Sequence, residues 1–143
     1  MIANVFAACA IAVVALGCTS DGGRDIVRPG DLHYLHWEPM IDAPSTAPVS
    51  TELTINVSTY GGGCVWFDRT DIEQDGDDVV IRPFDREHIP GENEGCDDPL
   101  ILFPHPAVLM FDSPGPKNIR VAGRSFDGEV YEDIEVPVSI TIQ

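Results

Sequence analysis

The last residues of the chain decide its fold: Tyr131-Glu132-Asp133-Ile134-Glu135-Val136-Pro137-Val138-Ser139-Ile140-Thr141-Ile142-Gln143. Ile134, Val136, Val138, Ile140 and Ile142 fall on every second position, with acids, Pro, Ser and Thr between them. A period of two puts the aliphatic side chains on one face of a β-strand and the polar ones on the other. Pro137 lies on the polar face and has no N–H to give to a ladder, which predicts an edge position.

The same period extends upstream. Leu53, Ile55 and Val57 alternate with Thr54, Asn56 and Ser58. Residues 64–74 read as a second strand and 79–81 as a third. Asp75-Gly76 between them is the strongest short hairpin signal, because such turns need positive φ. Residues 86–99 are rich in Gly, Pro and acids and read as a long loop. Two short apolar runs follow, 100–103 and 107–111, kinked by Pro104 and Pro106. A turn over 112–116, a strand over 117–126 and a second hairpin signal at Asp127-Gly128 lead to the final strand. Trp66, Phe67, Phe103 and Phe111 are expected to fill the space between two sheets. About seven strands without a helical period predict an all-β, antiparallel sandwich over residues 51–143.

The beginning of the chain has another character. Every residue from Val5 to Leu16 is apolar. That length suits a secretory signal and is too short to cross a hydrocarbon core of about 30 Å as a helix. Val14-Ala15-Leu16-Gly17-Cys18 resembles a bacterial lipobox. The resemblance implies cleavage after Gly17, a diacylglyceryl group on the Cys18 thiol and attachment to a membrane through that lipid. It divides the chain into a signal peptide over 1–17, a lipidated terminus and tether over 18–50, and a domain over 51–143. Ala43-Pro44-Ser45-Thr46-Ala47-Pro48 looks like an extended spacer. Residues 31–37, Asp-Leu-His-Tyr-Leu-His-Trp, are too apolar for a pure linker. They either pack on the domain as an extra strand, the preferred reading, or form an exposed binding motif.

With Cys9 lost in the signal and Cys18 acylated, Cys64 and Cys96 remain. An even pair in an oxidising compartment predicts a disulfide. It closes a loop of about 33 residues, for which the chain-entropy account gives roughly 3.5–4 kcal/mol. Gly62-Gly63-Cys64, a hairpin, Cys96, an apolar strand, a Pro-Gly turn and Ile119-Arg120-Val121 together resemble the small secreted immunoglobulin-like sandwiches of bacterial lipoproteins. That resemblance spans most of residues 51–143 and implies a fold, not an activity.

The net charge of −16 lies wholly after residue 17, concentrated in 68–78, 85–98 and 127–135. Such a field repels phosphate backbones, which disfavours nucleic acid as a partner. Asp71, Glu73, Asp75 and Gly76 imitate half of a Ca²⁺ loop, but Arg82 stands where a bidentate Glu is required. Asp75, Asp77 and Asp78 remain weak candidates for metal, and a hairpin tip explains them better. His33, His36 and Glu38 have metal-ligand chemistry but sit between Pro29 and Pro39, where a helix has little room. His88 and His105 read as ordinary surface histidines. Gly61-Gly62-Gly63 lacks the Lys and following helix of a phosphate loop. No catalytic residue and no cofactor is predicted.

The expectation is a non-enzymatic binding or structural module in the cell envelope, with a possible protein partner there. Thr19 after the lipidated cysteine, where an Asp would imply inner-membrane retention, points to the outer membrane by analogy. The alternative is a small extracytoplasmic hydrolase or metal-dependent enzyme, which would need a buried pocket with convergent polar groups.

Overall fold

A computed structural model describes residues 22–34, 38–97 and 99–143. The signal segment, Cys18, His36 and Trp37 lie outside the described residues. Among the described residues ten strands form a single all-β sheet: β1 Arg24–Pro29, β2 Asp31–Tyr34, β3 Met40–Asp42, β4 Thr46–Ala47, β5 Leu53–Gly61, β6 Val65–Asp75, β7 Asp78–Ile89, β8 Ile101–Leu109, β9 Gly115–Phe126 and β10 Tyr131–Ile142.

The sheet curls so that two blocks of strands face each other. One block is β3, β5 and β8, all antiparallel neighbours. The other runs from β6 through β7 and β9 to β10, with β4 on its far edge. The period-two residues meet between them. Leu53, Ile55 and Val57 of β5 and Ala107 and Leu109 of β8 share one core with Val79, Ile81, Ile119, Val121, Ile140 and Ile142. Ile134, Val136 and Val138 pack against its margin, so all five aliphatics of the final strand face one way.

β7 and β9 run parallel over Asp78–Ile81 and Asn118–Val121, then diverge. The N-terminal segment fills the fork. β1 pairs antiparallel with the far half of β7, and β2 pairs parallel with the end of β9. Gly30 stands at the apex. Its N–H donates to the Pro83 carbonyl and its own carbonyl accepts from Arg124 N–H, both at 2.9 Å. A Cβ there would come within 2.4 Å of Thr59 Cγ2, so only glycine fits. β2 then reaches β5 through Asp31 and Tyr60, which links the two blocks.

Several expectations need correction. The stretch over 18–50 read as a tether contributes four strands, one of which, β2, falls in the 31–37 segment whose preferred reading is an extra strand. Pro29-Gly30 is the bend that fits the fork, and β1 lacks the period of two. The acidic loop expected over residues 86–99 is shorter than that, because β7 continues to Ile89. The runs around Pro104 and Pro106 form one strand, β8, which pairs only with β5. Prolines two apart point their missing N–H groups to the same side, and an edge strand has one side with no ladder to lose. β10 likewise has an open edge at Pro137, since it meets β4 only at Thr141 and Ile142. In the first hairpin the loop residues are Gly76 and Asp77, closed by Asp75 and Asp78. Among them only Gly76 has positive φ, at 60°. Phe111 is buried as expected, whereas Trp66 and Phe67 are 38 % and 43 % exposed.

Candidate functional site

Cys64 and Cys96 are joined in a disulfide, their Cα atoms 5.3 Å apart. The bond ties the turn between β5 and β6 to the acidic segment before β8. Gly63 makes that approach possible, for a Cβ there would overlap the Asp97 carbonyl.

The most concentrated polar chemistry in the interior is a cluster that periodicity could not reveal. Thr59 of β5, Asp85 of β7 and His105 of β8 are each fully buried. Thr59 lies on the inward face of β5 in register with Phe103, two positions beyond Val57, where the aliphatic pattern stops. His105 Nε2 lies 2.9 Å from Asp85 Oδ1. The Thr59 hydroxyl donates to the same oxygen at 3.1 Å and also lies 3.1 Å from His105 Nε2. On the other side of the ring, Nδ1 faces Thr70 Oγ1 at 3.4 Å and the Arg69 carbonyl at 3.3 Å. The Phe67 ring covers the imidazole at a centroid distance of 4.8 Å. Asp85 Oδ2 has no hydrogen-bond partner.

A hydroxyl, an imidazole and a carboxylate suggest a nucleophilic triad, but the wiring is wrong for one. In a triad the imidazole takes the hydroxyl proton on one nitrogen and is held by the acid through the other. Here a single nitrogen faces both partners, the hydroxyl donates to the acid, and no surface opens onto the group. The arrangement instead ties β5, β7 and β8 to the backbone of β6. The expectation that His105 is a surface residue is therefore overturned. The signal in the sequence was its parity, on the same side of β8 as Ala107 and Leu109.

A second cluster sits in the fork. Arg28 donates to Asp31 at 2.9 Å and to Glu87, and Arg124 Nη2 approaches Asp31 at 2.9 Å from the other side. Burial works against the charge of Arg28, but Asp31 and Glu87 outweigh it and raise its pKa. Burial likewise raises the Asp31 pKa, against the opposing pull of Arg28 and Arg124. Arg124 also lies over the Tyr131 ring, 4.0 Å from its centre.

The weak metal candidates separate in space. Asp77 accepts from Lys117 and from Ser113, the latter at 3.1 Å, while Asp78 accepts from Asn118. Among the described residues no three His, Cys, Asp or Glu side chains converge in a way that could hold a metal. His33 Nδ1 meets Ser125 Oγ at 3.1 Å, and His88 is taken up by Asp25 and Glu94 at 2.7 and 3.0 Å.

The concavities are shallow and open. The best defined, of about 310 Å³, lies on the outer face where β7 and β9 diverge, between Pro29, Arg82 and Phe84 on one side and Asp133 and Glu135 on the other. Arg82 is already paired with Glu73 at 2.7 Å.

No protein-family model matches the chain, and no curated protein or solved structure matches it.

Proposed function

We propose that the chain is an exported lipoprotein, held at the cell envelope by a lipid on Cys18, and that it acts there as a non-enzymatic binding or structural module. The observation that carries this reading is the Cys64–Cys96 disulfide in a chain that begins with a lipobox-like segment. Disulfides form and persist in oxidising compartments, and export is the route to one. The shallow concavities suit a partner of macromolecular size better than a small substrate, which needs most of its surface buried. The acidic surface makes nucleic acid a poor partner. Outer-membrane placement rests on Thr19 alone.

An immunoglobulin-like architecture belongs to the same proposal. β3, β5 and β8 match three successive neighbours of one immunoglobulin sheet, and the β9–β10 pair matches two of the other. The parallel β7–β9 pair departs from that pattern, which is antiparallel throughout.

The anchor is tested by Cys18→Ser in a bacterial host. The expected product is unprocessed or soluble, with membrane association lost. A variant that stays in the membrane fraction through a carbonate wash sinks the lipoprotein reading.

A further inference from the structure

We infer that the end of the sheet nearest Cys18 is a membrane-contacting surface, seated on the headgroups of a zwitterionic lipid layer. The inference rests on the anchor proposed above. Gly23 is already fixed to the fold, its N–H donating to Glu94 at 3.2 Å. From Cys18 to Gly23 the chain takes five steps, at most about 18 Å when fully extended. A strand as long as β10 spans roughly 40 Å. The lipid therefore sets the orientation, and the end that carries Arg24 faces the membrane.

That end has its own surface chemistry. The strand registers place the starts of β1, β6, β8 and β10 there, together with the ends of β5, β7 and β9. Among the described residues, nine of the thirteen exposed large hydrophobics sit at these strand starts, so the exposed apolar surface described is polarised toward the anchor. Val27 and Trp66 flank Arg86 in one cross-strand row. Ile101 and Leu102 open β8, and Val130 and Tyr131 lead into β10. Trp and Tyr favour the boundary between headgroup and acyl chain, where an apolar ring and a polar tip are both satisfied. Arg24 and Arg86 lie at the same end. So do Glu92, Glu94 and Asp97, and these acids favour a zwitterionic over an anionic surface. A short link holds such a patch at high effective concentration, so contacts too weak to recruit a free protein become occupied.

The test uses the full chain, exported and purified from membranes, with Trp37→Phe so that Trp66 is the remaining tryptophan. The protein is placed in phosphatidylcholine vesicles whose acyl chains carry bromine. Trp66 fluorescence is expected to fall to roughly half of its value in unbrominated vesicles, as for an indole at the interface. With Trp37→Phe and Trp66→Phe together, the quenched tryptophan emission must disappear. Intact mass separates the two readings. A chain without diacylglyceryl overturns the anchor and this inference together. A lipidated, folded chain with unquenched Trp66 overturns this inference alone.

Discussion

His105 and Asp85 meet 2.9 Å apart with neither side chain reaching solvent, and the contact joins two strands from opposite blocks of the sheet. A buried pair of this kind gives little net stability over well-packed apolar residues, but losing one partner is costly because the other is left stranded. His105→Leu is expected to destabilise by about 3–5 kcal/mol. Thr59→Val, which removes only the hydroxyl donor, should cost about 1–3 kcal/mol. The double variant His105→Leu, Asp85→Leu should recover much of the single loss. Urea unfolding of these three variants and of Asp85→Leu alone checks this, and strictly additive losses in the His105–Asp85 cycle would show that the residues do not act as a unit.

Leu32 decides whether residues 24–34 are tether or fold. Its side chain is fully buried in the core cluster, as the preferred reading of residues 31–37 as an extra strand expects. A linker residue changed to Ala alters stability by almost nothing. A buried leucine changed to Ala costs about 2–5 kcal/mol, and Leu32→Ala is expected within that range. Thermal or denaturant unfolding of the variant is the measurement. A chain begun at residue 45 should be less stable still, because it also leaves the fork between β7 and β9 empty.

The parts of this fold that were legible follow one rule: a strand with one face on the core announces itself by alternation. β5, β9 and β10 do so, and the Cys64–Cys96 pairing followed from counting. β1 has no such face. It is inserted at a fork, where Arg28 and Asp31 are buried by pairing with each other. No propensity encodes that partnership. The Thr59–Asp85–His105 cluster was hidden for a related reason, since its members stand 26 and 20 positions apart and are brought together by strand register alone. Trp66 and Phe67 were expected in the core from their size. They sit at the start of an edge strand, where Phe67 still leans on the His105 ring but both side chains stay more than a third exposed.

His88 makes the clasp between β1 and the disulfide loop depend on pH. Hydrogen bonds to Asp25 and then Glu94 raise its pKa above the usual 6.5. That contribution is complete below about pH 6.5 and is lost as pH rises through the raised value. Glu94 is the opposite case. The Gly91 N–H, His88 and the Gly23 N–H lower its pKa below 4.5, so its contribution is present above that pH and is lost on acidification. The clasp is therefore strongest between about pH 4.5 and 6.5. Amide exchange at Gly23 and Gly91, corrected for its intrinsic pH dependence, should be slowest in that window. His88→Ala should abolish the alkaline rise. A flat profile in the unaltered chain would mean that the contacts do not persist in solution.

The acidic tip at Asp75, Asp77 and Asp78 should respond to calcium as to any other salt. Its carboxylates do not point at a common centre. Asp77 is engaged by Lys117 and Ser113, and the bond to Lys117 is the leading cause of its lowered pKa. Asp78 is turned toward Asn118. A cation placed there would have to displace Lys117, whose side chain is buried with its amino group over the Phe111 ring. What remains is repulsion within an acidic chain, and mobile ions relieve that without a specific geometry. Unfolding midpoints in millimolar Ca²⁺ and in NaCl of matched ionic strength should therefore rise together and modestly over the value in EDTA. Lys117→Met should lower the midpoint in all three conditions, because it removes the ion pair to Asp77 and the cation over the Phe111 ring. A Ca²⁺-specific rise of about ten degrees, saturating at one ion per chain, would require binding well below the added concentration. That result would mean the three carboxylates rearrange into a site the resting hairpin does not contain.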